Sequence, residues 1–307
     1  MTNGKKIIID TDPGIDDAVA LAIALFSDEL NVKLITTVAG NVSLEKVTLN
    51  TLKLLSFYKK DIPVAMGAKK PLARPIIDAS GVHGETGMDG FDFPEADKSL
   101  LLNISAVEAM RKTIVESEDK ITLVAIGPLT NIALFISTYP DLLERIEELV
   151  IMGGAVGRGN SGIYSEFNFH TDPEAADIVF KSGLKIAVAT LEPGREALVY
   201  PEDSEKIKGM HSIGEMFYAL FSKYRGGSFG KGLKMYDSHA IGYLLNPEMY
   251  EMIETRVAIE TKGEYTSGAF LVDLRNYLDT EYTAKVTLGV DEAKFKDWFM
   301  SSIEKCK

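Results

Sequence analysis

Residues 5–26 read KKIIIDTDPGIDDAVALAIALF, and the order of their side chains decides the fold. A β-branched run, Ile7 to Ile9, ends in Asp10-Thr11-Asp12-Pro13-Gly14-Ile15-Asp16-Asp17 and passes without a linker into the apolar stretch Ala18 to Phe26. An unbroken apolar strand followed at once by a helical segment is the start of a crossover unit. The alternation returns in VKLITTVAG with SLEKVTLNTLKLLSFY, in ITLVAIG with LTNIALFIST, and in KIAVATL with the helices after it. This pattern predicts an α/β fold, a mostly parallel open sheet covered by helices on both faces. Met252 to Glu260 and Tyr282 to Leu288 read as a late pair of strands, and Asp291 to Ile303 as a closing helix. No Pro/Gly/Ser-rich linker or internal repeat divides the chain, so residues 1–307 are expected to form a single domain.

Composition excludes several function classes. With 46% hydrophobic residues and a mean hydropathy of +0.03, the chain can bury a large core without a disulfide. Cys306 is the lone cysteine, which rules out an intrachain disulfide and points to a cytoplasmic protein. The N-terminus MTNGKKIIIDTD lacks the apolar core of a secretory signal. Ala18 to Phe26 is far shorter than the roughly 20 residues of a membrane span, so no membrane partner is expected. A net charge of −12 repels a phosphate backbone, and no basic stripe with interleaved aromatics offsets it, so nucleic acid polymers are not expected partners.

In open α/β sheets, ligands bind outside the carboxyl ends of the strands. The first such end carries four carboxylates within eight residues, Asp10, Asp12, Asp16 and Asp17. One aspartate is accounted for as a helix cap, and acids in a first helical turn suit the macrodipole. Asp10 and Asp12 precede the helix and have no such role. A hard divalent cation is the natural counter-charge, because all-oxygen ligands suit calcium or magnesium.

DTDPGIDDA resembles the N-terminal signature of the inosine-uridine-preferring nucleoside hydrolase family. The resemblance continues, in order, through VAGNV at 38–42, the HG of VHGETG at 82–87, GPLTNIA at 127–133, MGG at 152–154, EFN at 166–168, TDPEAA at 171–176 and an aspartate at 237. It implies the nucleoside hydrolase fold with a Rossmann-like core, and hydrolysis of the N-glycosidic bond of ribonucleosides to free base and ribose, as in purine and pyrimidine salvage. It also implies a Ca2+ ion held by Asp12, Asp17 and Asp237 and by the backbone carbonyl of Ile126, with Asp10 in support. Asp12 would take a proton from the attacking water held by that ion, and Asp16 would hold a ribose hydroxyl. A homodimer or homotetramer is expected on the same ground.

Glu166 and Asn168 stand two apart in SEFNF. On an extended segment both would face one side and Phe167 the other. By resemblance, Asn41, Met152, Asn160, Glu166 and Asn168 surround the ribose, and Phe167 lies among them. A site that bonds both ribose hydroxyls should reject 2′-deoxynucleosides.

The leaving base needs protonation or stabilisation as an anion. Family members commonly place a histidine immediately before the late aspartate, whereas this chain has Tyr236 there. Tyrosine, with an ordinary pKa near 10, is a poorer donor than imidazolium. His83 is the other candidate for the pocket, and His239 reads as structural. FSKYRGGSFG, with Tyr224 and Phe229, is either a segment that closes over the base or a plain loop between helices. Two rival functions fit some of the same residues. One is a haloacid-dehalogenase-like Mg-dependent phosphatase, whose Asp-x-Asp pair also ends a strand. The other is a ribonucleoside-binding protein without catalysis.

Overall fold

The computed structural model describes residues 4–307. Its strands are β1 Lys5–Thr11, β2 Leu30–Thr37, β3 Val64–Met66, β4 Ile121–Ala125, β5 Ile146–Met152, β6 Ile186–Ala189, β7 Leu198–Val199, β8 Gly227–Ser228, β9 Gly232–Lys234, β10 Tyr250–Ile259, β11 Phe270–Val272 and β12 Thr283–Val290. Nine of them form one sheet in the order β11-β10-β12-β6-β5-β4-β1-β2-β3. Pairing is parallel from β3 across to β12. The late pair predicted from sequence is β10 and β12, which run antiparallel, with β11 at the edge. A second, small sheet has the order β7-β9-β8.

The central strands are apolar through their middles because both faces are covered. Ile7 and Ile9 of β1 enter one buried cluster, with Ile15, Leu21 and Leu52 from helices Ile15–Phe26 and Leu44–Tyr58. Ile8, pointing the other way, enters a second cluster with Met110 and Ile132. Among the described residues no helix is long and apolar enough to cross a membrane.

Strand order sets the position of the site. The chain lays β2 and β3 on one side of β1, then returns to build β4, β5 and β6 on the other. The crevice at that reversal lies between the carboxyl ends of β1 and β4. Asp12 follows β1 there and Ile126 follows β4. Helix Tyr236–Leu245 packs on helix Ile15–Phe26, which carries Asp237 from far along the chain to the same place.

Candidate active site

A cavity of about 410 Å³ opens at this crevice. Asp16, Asn41, His83, Ile126, Met152, Asn160, Glu166, Phe167, Asn168, Tyr236 and Asp237 all line it, so most of the sequence candidates converge. Asp10, Asp12 and Asp17 lie behind this wall, fully buried or nearly so.

The acid cluster is built by local geometry. Helix Ile15–Phe26 starts after Gly14, whose N–H donates to Asp17 Oδ2 at 2.9 Å, while Thr11 Oγ1 donates to Asp17 Oδ1 at 2.6 Å. Asp12 Oδ2 accepts the Asn41 backbone N–H at 2.7 Å, and Asn41 Nδ2 reaches the Asp12 carbonyl and Asp17 Oδ2. Asn41 is therefore a tether between two acids as well as a cavity residue. Two glycines of the flanking motifs leave room for Asp12. A Cβ on Gly40 would stand 2.1 Å from Asp12 Oδ2, and one on Gly127 2.6 Å from Oδ1. Asp10 accepts from Thr36 Oγ1 and from Asn131 Nδ2, which also bonds the Thr37 carbonyl, so it braces the ends of β1 and β2.

Oxygens of Asp16, Asp17 and Asp237 lie within 4.8 Å of one another. The tightest trio thus contains Asp16, while Asp12 stands next to it. Burial, with repulsion from Asp17, holds the Asp12 carboxyl well above its usual range, and burial and Asp16 do the same to Asp237. Asp10 and Asp16 are each raised to about 7, chiefly by burial. Burial also raises Asp17, whose carboxyl faces that of Asp237. No lysine or arginine among the described residues pairs with these acids, and Asp12 Oδ1 and Asp10 Oδ2 are buried without any partner. Five buried carboxyls with an orphaned oxygen and no organic cation fit a hard divalent ion. Ile126 O accepts from Asn168 Nδ2 at 3.1 Å, and a carbonyl oxygen has a second lone pair for another partner.

The sugar side departs from the extended segment expected at SEFNF. Glu166 caps the short helix Phe167–Thr171, accepting from Asn168 N at 2.8 Å and Phe169 N at 3.2 Å, and from Gly154 N at 3.0 Å. Helical geometry turns Phe167 into the cavity beside Glu166 and Asn168, where a strand would have turned it away. A two-residue spacing does not distinguish the two conformations when a capping acid precedes the helix. Burial raises Glu166 to about 7. Asn160 fixes this turn by accepting Phe167 N at 2.9 Å.

On the remaining wall, His83 Nδ1 accepts the Ile15 N–H at 3.1 Å, so any ring proton sits on Nε2. Burial lowers His83 to about 3, which makes imidazolium unfavourable and leaves a neutral hydrogen-bond donor. Tyr236 is raised to about 12 by burial. The Arg195 guanidinium near its hydroxyl acts the other way and lowers it. Tyr224 lines the cavity, with its hydroxyl 3.0 Å from the Lys234 carbonyl and in reach of Asp16. The FSKYRGGSFG segment is not a plain loop between helices, since it carries β8, which pairs antiparallel with β9 just beyond it. Phe229 turns away to pack on Tyr218. His239 stacks on Phe295 at 4.2 Å, as a structural residue. Sequence reasoning missed Arg195, Lys234 and Thr11; only Thr11, lying between two aspartates, carried a signal.

The profile of the family described as inosine-uridine preferring nucleoside hydrolase matches residues 7–297. The chain belongs to this family. A non-specific ribonucleoside hydrolase RihC from Salmonella paratyphi C is 46% identical over 298 residues, 97% of each chain. Among solved structures, a plant nucleoside hydrolase, PpNRh1, is similar at a TM-score of 0.89 and 30% identity, over 98% of this chain and 99% of the other. A purine-preferring ribonucleoside hydrolase from Gardnerella vaginalis gives 0.90 and 25%, with the same coverage. The nucleoside hydrolase reading of the sequence and its α/β fold both stand, and the protein is an enzyme of that class. The phosphatase and the non-catalytic binder fall away against a family match across nearly the whole nucleoside hydrolase chain.

Proposed function

We propose that this nucleoside hydrolase is a calcium-dependent enzyme acting on ribonucleosides, releasing free base and ribose in cytoplasmic purine and pyrimidine salvage. We propose that it works as a single domain, residues 1–307, in a homodimer or homotetramer. The observation that carries the mechanism is the buried, unpartnered Asp12 Oδ1 among acids that no organic cation neutralises. Asp12, Asp17, Asp237 and the Ile126 carbonyl would hold the ion. When bound, calcium supplies a Lewis acid that acidifies water and offsets the carboxylate charge.

The chain's own groups supply the rest. Asp12, tethered through Oδ2, takes the proton of the attacking water on Oδ1. Asp16 holds a ribose hydroxyl, and Asn41, Met152, Asn160, Glu166, Phe167 and Asn168 enclose the sugar. The acid wall stabilises positive charge that develops on the ribose as the bond to the base lengthens. Tyr236 O–H and His83 Nε2–H remain as donors toward the base. Neither is an efficient proton source, because both ring environments favour the neutral form at neutral pH.

The test is reducing sugar released from a panel of ribonucleosides by chain dialysed against a chelator, then supplied with Ca2+ or Mg2+. Calcium should restore turnover. No sugar from any ribonucleoside, or full turnover in chelator, would overturn the proposal.

A further inference from the structure

The cavity also carries positive charge that the sugar chemistry does not use. Lys234, at the end of β9, lines it next to Tyr236. Among the described residues its ammonium makes no ion pair and no hydrogen bond. Partial burial lowers its pKa, and the charged group that acts on it, Arg195, is another cation. Arg195 itself is held in place. It donates to the Gly159 carbonyl at 3.0 Å, with Glu192 Oε1 3.7 Å from Nη1, and the guanidinium charge acts on the Tyr236 hydroxyl. A partly buried ammonium beside a guanidinium and without a carboxylate is unfavourable until a ligand brings negative charge.

Hydrolysis of a nucleoside generates negative charge at one place. As C1′–N breaks, the bonding pair goes to the base nitrogen, while water forms C1′–O and gives its proton to Asp12. We propose that Lys234, with Arg195 fixed behind Tyr236, stabilises that departing pair, replacing the histidine that the family commonly places at position 236. The base leaves as a stabilised anion and takes its proton from solvent; Asp12 returns its proton to solvent, so charge and atoms balance. Lys234 is thereby a catalytic residue and Arg195 a positioning residue. The inference rests on the hydrolase reading above.

The test compares wild type, K234M, K234R and R195Q, each as the calcium-loaded full chain. Substrates are inosine, uridine and 4-nitrophenyl β-D-ribofuranoside, whose nitrophenolate leaves without assistance. K234M should lower kcat for both nucleosides about 100-fold, in the range for one lost charge-stabilising donor. The nitrophenyl riboside should change less than about threefold, by the same reasoning that its charge needs no help. K234R should recover most of the nucleoside rate, and R195Q should show the same selectivity in weaker form, so the outcome does not hang on one variant folding. Equal losses on all three substrates, or none on any, would overturn the inference. So would unchanged nucleoside turnover with weakened inhibition by inosine 5′-monophosphate, which would assign the cation to a phosphate. A wild type that cleaves the nitrophenyl riboside but no nucleoside defeats the parent reading instead.

Discussion

Replacing Glu166 with glutamine should change how the ion-free protein's stability depends on pH. The carboxyl is 2% exposed and its pKa stands at about 7 against an ordinary 4.5, because burial outweighs the backbone N–H groups it accepts from. The folded state thus holds this proton more tightly than the unfolded chain does. The associated stability is fully present below about pH 4.5 and is lost as pH rises to about 7. At about 1.4 kcal/mol per pKa unit, the loss is about 3 kcal/mol. With an unfolding entropy of about 2 cal/mol/K per residue, a chain of this size has about 0.6 kcal/mol/K, so the loss equals about 5 °C. E166Q has no such titration. Its amide also turns a donor toward one of the N–H groups at Asn168 or Gly154, a pH-independent cost of about 1–3 kcal/mol. The wild-type midpoint should therefore fall about 5 °C further than that of E166Q between pH 4.5 and 7.5, measured by thermal unfolding in chelator. Parallel curves would refute the argument, whatever the offset between them.

Three other outcomes are expected. D12N should lower kcat for inosine by about 10³-fold or more, because it removes the base; it should not lower the unfolding midpoint in chelator, since the amide oxygen can still accept the Asn41 N–H. 2′-Deoxyinosine should be turned over about 10⁴-fold less efficiently than inosine, by kcat/KM, because its missing oxygen leaves buried polar groups unpaired. G194A should impair nucleoside turnover while leaving inhibition by free ribose unchanged, because the new Cβ would sit 2.4 Å from Tyr236 Cδ1 and must displace that ring.

What the sequence disclosed follows from the range of the forces involved. β1, its acids and the helix after it are contiguous, so strand pattern, turn and charge stand within one short stretch. Asp237 lies more than 200 residues on, brought back by a helix–helix contact without local signature, and only resemblance located it. Glu166 and Asn168 were legible as a pair but not in conformation, since a cap and a strand can share that spacing. Asn41 was placed at the sugar by resemblance alone, because its other role, tethering Asp12 to Asp17, exists only once β1 and β2 are side by side. Lys234 and Arg195 were not legible at all. Their significance is the absence of an anionic partner for one of them, a property of three-dimensional surroundings.

The two halves of the cavity are built by different means, and this bears on the chemistry. Acids on the sugar side are clamped by backbone N–H groups and strand ends, so their charge is fixed where a cationic sugar would develop. On the base side, by contrast, Lys234 ends β9 of the hairpin and only its backbone carbonyl is held, by the Tyr224 hydroxyl, while Arg195 acts on Tyr236 through its charge. A glycosidic bond that breaks heterolytically separates charge in that same sense, positive on ribose and negative on base. Charges already in place on both sides need less reorganisation as the bond breaks than solvent would, which is the condition under which electrostatic stabilisation lowers a barrier most. On the proposed reading, a cation at the base side needs no particular ring nitrogen to protonate, whereas a histidine acid must meet one. Base identity should therefore matter less to kcat here than the stability of the departing anion. The slope of log kcat against leaving-group pKa, steeper in K234M than in wild type, measures that directly.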